Sequence, residues 1–344
     1  VKAVIVDTYY PDFVRTLNRS GSYAERLQQT LDVFFGTHSA YSRHLANLGW
    51  ETIDIIANDE QLQKVWAAEN QLNGASLEAI ALAQIMQFKP DVVFFQDLSF
   101  FSAATLEFLR KRYLLAGQCS CPMPRRENVE KFHVLFTSFP HYIDPFTQLG
   151  VRAEFLPLAF DPLVIESLPI PVMRTSAVSI VGGYGRHWNV DELYTKLAEE
   201  TPIEFYGYGY ENAPEPVRRR YRGQAWGVDM YRVCLSSYIV FNRHGGVAQG
   251  FSNNLRMFEA TGCGALLMTE YSPNLSDYFT DAECVSYVNA DDAVSRIRYL
   301  LAHPAELRKI AAAGQQRTVT EHTYFQRMPK VSEVLKECLS LREA

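Results

Sequence analysis

Between Gln249 and Leu267 the chain sets a glycine, three small polar residues, an arginine and a glutamate in one short stretch. The order Gly250, Ser252, Asn253, Asn254, Arg256, Glu259 reads as a loop, then a short helix, then a buried strand. Gly250 lets backbone approach a ligand closely. Ser252 or Asn253 can cap the helix, whose first N–H groups then form an anion site. Arg256 adds a fixed charge suited to phosphate. Glu259, one turn further on roughly the same face, offers a bidentate acceptor for a pair of hydroxyls. Diphosphate plus ribose diol is the head of a nucleotide sugar. The same residues also suit an ordinary capped helix packed by two glycines, and local chemistry alone does not choose.

Three further segments carry ligand-binding residue types. Ile180-Val181-Gly182-Gly183-Tyr184-Gly185-Arg186-His187 runs from a strand into a glycine turn. Gly182 and Gly183 can bring amides to a diphosphate, and Arg186 or His187 can donate to it. A tight turn without a ligand is the alternative. Tyr206, Gly207, Ala225 and Trp226 are the expected nucleobase walls, since ligands of open α/β sheets sit at the carboxyl ends of strands. Trp226 can equally be a packing residue. Asn242 and His244 follow an apolar strand and precede two glycines, as a sugar-binding loop requires. An exposed loop histidine is the plainer reading of His244.

A transfer to a hydroxyl by inversion needs a carboxylate or imidazole to take the proton. Asp7, His38, Asp97 and His141 all lie near expected strand ends or loops. His141 follows Pro140 and is less easily explained as a helix cap than Asp97, so it ranks slightly ahead. With Arg256 as the charge that stabilises a departing diphosphate, the expected catalytic set is His141, Asp97 and Arg256. No D-x-D motif stands in a suitable context, and Asp291-Asp292 reads as an acidic helix start. No metal and no cofactor are expected beyond the substrate.

These residues need strands to hold them. Short β-rich runs at 3–6, 52–56, 92–95, 113–116 and 134–137 alternate with helical periodicity at 23–48, 76–88 and 103–112. Residues 155–157 are expected to add a last strand to this series. A proline-studded segment follows, and then strands at 177–181, 203–206, 238–242, 265–268 and 284–287 alternate with helices at 191–199, 230–235 and 291–302. Such alternation argues for parallel sheets wrapped by helices. The tail from Pro304 reads as helical, with breaks near Gly314 and Pro329. The expected division is a first domain at 1–160, a linker at 161–175, a second domain at 176–325 and a terminal helix at 326–344.

From Tyr221 to Tyr324 the chain resembles the C-terminal half of the CgeB-like, spore-maturation-type glycosyltransferases. The resembling blocks are Tyr221-Arg222-Gly223, Trp226 to Tyr231, Phe241 to His244, Asn253 to Gly262 and Glu321 to Tyr324. Weaker similarity takes in Gly182-Gly183 and His187, and reaches Asp7 to Pro11 and Trp66 to Glu69. The resemblance implies a GT-B glycosyltransferase: two Rossmann-like domains facing a cleft, the donor on the second, and a last helix, here within 331–341, returning to the first. Many retaining members pair two glutamates across a seven-residue gap. Glu259 fits the second, whereas Phe251 stands at the first. That departure weakens the case for retention.

The bulk numbers bound the rest. A chain of 344 residues, 47% hydrophobic and 21% charged, suits two soluble domains. A net charge of -6 gives no global case for nucleic acid, and the arginine runs at 110–112, 125–126 and 218–220 read as solvated helix ends. The sequence contains no apolar stretch long enough for stable membrane insertion, and six scattered cysteines suggest a reducing, cytoplasmic setting. The leading expectation is transfer of a hexose-type sugar from a nucleoside-diphosphate sugar, UDP-type, to a glycan or other hydroxyl acceptor, in bacterial glycoconjugate or surface polysaccharide assembly. The rival expectations are a non-catalytic sugar-nucleotide-binding or scaffold protein, and an epimerase or phosphorylase on the same scaffold.

Overall fold

The computed structural model describes residues 1–168, 173–185 and 190–343. They form two compact units: residues 1–157 together with the C-terminal helix Tyr324–Glu343, and residues 158–323. The first unit holds a six-stranded parallel sheet of β1 (Lys2–Asp7), β2 (Glu51–Ile56), β3 (Val92–Phe95), β4 (Leu114–Cys119), β5 (Val134–Thr137) and β6 (Arg152–Phe155). Its spatial order is β2-β1-β3-β4-β5-β6. The central strands are apolar runs buried throughout, because helices cover both faces of a parallel sheet. Stacking of Phe94 on Phe136 and edge contacts of Phe95 with Phe101 and Phe132 fill the core on the two faces.

The second unit holds β7 (Ser176–Val181), β8 (Ile203–Tyr206), β9 (Ser237–Phe241), β10 (Leu266–Glu270) and β11 (Val285–Tyr287). Their order is β11-β10-β9-β7-β8, again all parallel. In each sheet the chain runs outward by one strand and then crosses back. The crevice at that reversal lies between β1 and β3 in the first sheet and between β7 and β9 in the second.

Four local expectations are corrected. The helix expected over 23–48 is two helices, Tyr23–Leu31 and Ala40–Asn47. Between them Phe34, Gly36 and His38 take positive φ values of 54°, 59° and 35°, which no helix continues through. The sixth strand ends at Phe155 rather than spanning 155–157, and Pro157 has no N–H for a ladder. Gly314 does not break Pro304–Glu321. A Cβ there would lie 2.3 Å from the Glu283 carbonyl, so the glycine serves close approach of a loop. Pro329 lies inside Tyr324–Glu343, on an exposed face where the carbonyl it leaves unbonded meets water.

That last helix packs on the first unit. Trp50 Nε1 donates to Ser332 Oγ at 2.9 Å, Tyr41 meets the Tyr324 ring at 5.6 Å, and Arg152 pairs with Glu337 at 2.8 Å. Residues 161–168, expected in a linker, belong to the second unit and include the helix Leu163–Ser167. Among the described residues no helix is long and apolar enough to cross a membrane.

Candidate functional site

The loop Gly250–Asn254 and the helix Leu255–Gly262 bring their polar residues to the β7/β9 reversal. The cap is Asn254, not Ser252 or Asn253. Its Oδ1 accepts from the Met257 amide at 3.2 Å, while its Nδ2 donates to Asn242 Oδ1 and to the Arg243 carbonyl. Ser252 is buried and bonded elsewhere: its hydroxyl meets Ser272 Oγ at 2.5 Å and its amide donates to Asn274. The Asn253 amide donates to His244 Nδ1 at 3.2 Å. That bond leaves the imidazole proton on Nε2, which faces Thr269 Oγ1 at 3.1 Å. Thr269 also accepts from Asn242.

Asn242, His244 and Thr269 therefore hold the capping loop in place. Burial drives the His244 pKa down to about 4, with the Asn253 amide acting the other way, so the ring is neutral at physiological pH. The side chain of Asn253 stands apart from this network, although its amide belongs to it. Its side chain is buried, and its Nδ2 has no hydrogen-bond partner among the described residues. A buried amide donor without an acceptor costs on the order of 1–3 kcal/mol, and a ligand oxygen would remove that cost.

Arg256 and Glu259 pair with each other at 2.8 Å. Arg256 Nε also donates to the carbonyl of Val181, the last residue of β7, and the guanidinium rests against Met230 and Cys234. Burial is the largest influence and works against its charge, but Glu259, Cys234 and Tyr231 together outweigh it and hold the pKa above the ordinary value. Glu259 takes a second hydrogen bond from the Tyr231 hydroxyl at 3.2 Å. A carboxylate has about four acceptor positions, so two remain for a diol. Tyr231 and Thr269 were not singled out from sequence, because each contributes one hydroxyl to a partner 25 or more residues away.

The glycine turns after β7 and β8 interlock. Gly182 N donates to the Tyr206 carbonyl, Tyr184 N to that of Tyr208, and Gly207 N to that of Gly223. A Cβ on Gly207, whose φ is 133°, would sit 1.9 Å from the Gly182 carbonyl oxygen, and one on Gly183 would sit 2.4 Å from the Tyr208 ring. Gly207 is thus required by packing between the turns, whereas at Gly183 the obstacle is the far end of the Tyr208 side chain. Gly182 has open space where its Cβ would be. Trp226 stacks on Tyr208 with planes 9° apart and centroids at 5.5 Å, and its Nε1 donates to Gln224. Tyr206 instead bonds Glu204, its neighbour on the same face of β8, beside Arg222. Ala225 is buried. Arg186 and His187 lie outside the described residues.

In the first unit the candidate proton acceptors separate. Asp97, two residues past β3, accepts from Ser99 N and from Thr8 Oγ1, each at 2.8 Å. It does not cap the following helix; Ser102 does. Asp7, at the end of β1, accepts from the Thr8 amide at 2.8 Å and from Thr37 Oγ1 at 3.4 Å. Burial raises the Asp7 pKa to about 7, the Thr8 amide pulls it back, and Asp97 and Asp54 add repulsion. His141 follows β5, two strands away from β3, with its ring between Phe139 and Tyr142 and both nitrogens buried. His38 is buried with its ring edge-on to Phe34 at 5.1 Å. Among the described residues no three His, Cys, Asp or Glu groups gather as a metal site would require.

Comparison with known proteins bears on both units. Residues 186–333, less than half of the chain, match a family model described as glycosyl transferase-like. No curated protein sequence matches the chain. Among solved structures, Anabaena Alr3699/HepE in complex with UDP-glucose is similar with a TM-score of 0.62 and 11% identity, over 98% of this chain and 99% of that one. Sucrose-phosphate synthase from Thermosynechococcus elongatus gives 0.61 and 12%, over 98% and 99%. UDP-GlcNAc 2-epimerase from Neisseria meningitidis, bound to UDP-GlcNAc, gives 0.56 and 11%, over 98% and 100%. At such identities the likeness is one of fold, and that fold is GT-B: two Rossmann-like parallel-sheet domains with a C-terminal helix returning to the first.

Proposed function

We propose that the chain is a glycosyltransferase of the CgeB-like kind. It would move a hexose-type sugar from a UDP-type nucleotide sugar to a hydroxyl acceptor, without a metal, in bacterial glycoconjugate or surface polysaccharide assembly. The observation that carries the reading is the buried Asn253 Nδ2, without a partner among the described residues, beside the capped N-terminus of Leu255–Gly262, at the β7/β9 reversal. Helix amides and Asn253 suit the diphosphate. Glu259, steadied by Arg256 and Tyr231, suits the ribose diol. Tyr208 and Trp226 offer aromatic faces near the ends of β8 and its following loop, where a base can stack. Arg256 supplies positive charge in the first turn of the helix, where it can offset charge growing on the departing diphosphate. All six cysteines are free thiols, in keeping with a reducing, cytoplasmic setting.

The test is calorimetry and thermal shift of the full chain against UDP, GDP, CDP and ADP, then UDP-glucose and UDP-GlcNAc. A ligand at a hundred times its Kd should stabilise by about 2.7 kcal/mol. The same donors are then assayed with a chelator present for transfer and for slow hydrolysis. Activity lost in chelator and restored by magnesium or manganese refutes the metal-free mechanism. Donor binding with neither transfer nor hydrolysis favours the non-catalytic reading, and an isomerised sugar favours an epimerase.

A further inference from the structure

The end of β4 brings two thiols together that sugar transfer does not use. Cys119 is the last residue of β4, and Cys121 follows two positions later, at a bend where regular structure has stopped. Extended backbone sets residues i and i+2 on one face with Cα atoms about 6.6 Å apart, inside the span that a disulfide bridges. The side chains meet. Cys119 Sγ lies 3.8 Å from the Cys121 carbonyl oxygen, and the two thiols share a hydrogen bond.

The two thiols differ in what reaches them. Cys121 is exposed, whereas Cys119 and the other four cysteines are buried. The hydrogen bond from Cys119 pulls the Cys121 pKa below its ordinary value, while desolvation and the charge of Asp97 act the other way. The same bond, and then burial, keeps Cys119 protonated. An exposed thiol with a lowered pKa is the reactive kind. Cys234 and Cys263 also share a hydrogen bond, but both lie inside the second unit, where thiols are inert. The backbone around the exposed pair is anchored. Ser120 Oγ meets Ser138 Oγ at 2.8 Å and accepts from Gln118 at 3.1 Å, and Tyr142 donates to the Cys121 carbonyl at 3.3 Å.

We propose that Cys121 is a site of oxidation by hydrogen peroxide and that Cys119 resolves it, closing a reversible Cys119–Cys121 disulfide at the end of β4. The inference is independent of the transferase reading. The Cys121 thiolate attacks one peroxide oxygen, the O–O bond breaks, and hydroxide leaves. That hydroxide takes up the proton the thiol had released and becomes water. Cys121 is then a sulfenic acid. The Cys119 sulfur attacks the Cys121 sulfur, the S–O bond breaks, and the hydroxyl leaves with the Cys119 proton as a second water. The two sulfurs together give up two electrons, and the peroxide is reduced to two waters. In reducing compartments such bridges are usually transient and redox-sensing. An exposed bridge is also the readily reduced kind, so a dithiol restores the thiols. While closed, it ties Cys121, which Tyr142 already holds by its carbonyl, to the strand end.

The experiment treats the folded full chain with hydrogen peroxide after the reductant is removed, then maps its peptides by mass. Trypsin releases residues 113–125, which hold both cysteines and Met123. The expected result is that this peptide loses two hydrogens, resists alkylation, and recovers both on treatment with dithiothreitol. Oxidation of Met123 instead adds an oxygen that dithiothreitol does not remove. With dimedone present, Cys119→Ala should carry the label on Cys121, and Cys121→Ser should carry none on Cys119. Iodoacetamide should alkylate Cys121 about fivefold more slowly in Cys119→Ala, the equivalent of one hydrogen bond. A peptide that keeps both thiols while Met123 is oxidised overturns the proposal. So does a bridge found only between Cys234 and Cys263 or between two chains, or dimedone on Cys119 in Cys121→Ser. Near-UV circular dichroism checks the fold of Cys119→Ala. If that variant does not fold, the wild-type peptide map and the exposed Cys121→Ser decide the matter.

Discussion

Replacing Glu259 by Gln separates two things this carboxylate does. Within the protein it neutralises Arg256 at 2.8 Å and accepts from Tyr231 at 3.2 Å. Both partners of the ion pair are largely buried, with side-chain exposures of 17% and 6%. Leaving the guanidinium without its counter-charge should cost about 3–5 kcal/mol of stability. The second role is the proposed one, accepting the ribose diol on its two remaining positions. Losing a charged hydrogen bond there should cost about 1.5–3 kcal/mol of binding, or roughly ten- to a hundred-fold in Kd. A ligand cycle distinguishes the roles. Calorimetry with UDP and with 2′,3′-dideoxy-UDP is run on wild type and on Glu259→Gln, in a temperature range where circular dichroism shows both folded. If Glu259 holds the diol, wild type loses the full factor on going to dideoxy-UDP, and the variant loses almost none. If both proteins lose the same factor, the coupling is zero. Glu259 is then only a structural partner of Arg256, and the ribose lies elsewhere.

Asn253→Ala should act with opposite signs: thermal unfolding without ligand should hold or rise by up to about 1 kcal/mol, while UDP affinity falls about fivefold or more. A drop in unliganded stability with UDP affinity intact would show that Asn253 Nδ2 is satisfied within the protein. Gly207→Ala should lower the melting temperature, at a cost of at least ~1–3 kcal/mol, because its Cβ meets the Gly182 carbonyl at 1.9 Å. Gly182→Ala should leave the melting temperature unchanged, since nothing lies within 4 Å, and it should weaken UDP if the diphosphate approaches that turn. Asp54 should penalise folding at high pH. Burial raises its pKa from 3.8 to about 7, with Ser42 acting the other way, so between those values the folded state keeps a proton that the unfolded state releases. Stability therefore falls as pH rises from about 4 to about 7, and Asp54→Asn should be the more stable protein in urea at pH 8 but not at pH 4. Equal midpoints at pH 8 would refute the raised pKa.

What was legible in the sequence follows from what each feature depends on. Strands such as Val92–Phe95 and Val134–Thr137 are buried on both faces, so their whole length is apolar and their bounds stand out. The helix at 255–262 was readable, but its cap was not. Ser252, Asn253 and Asn254 are all good capping types. The choice among them falls to Ser272, Asn274 and His244, which claim Ser252 and the Asn253 amide and leave Asn254 to cap. Glycines mislead in the same way. Gly183 read as room for a phosphate and Gly207 as part of a nucleobase wall, yet the space beside each is taken by the neighbouring turn.

The ranking of proton acceptors depended most on distant parts of the chain. Local sequence favoured His141 because it follows a proline, and local sequence is silent about burial. Asp7 is distinguished only once Thr37 arrives from a loop that interrupts an apparently continuous helix, and once β3 sets Asp97 beside Thr8. Its raised pKa comes first from burial that no neighbour in sequence supplies. A carboxylate at the end of a first strand is common. One that shares its threonine with a second carboxylate, across the strand reversal, arises only from the fold. The surroundings of Asp7 are therefore set by the fold and not by its neighbours in sequence.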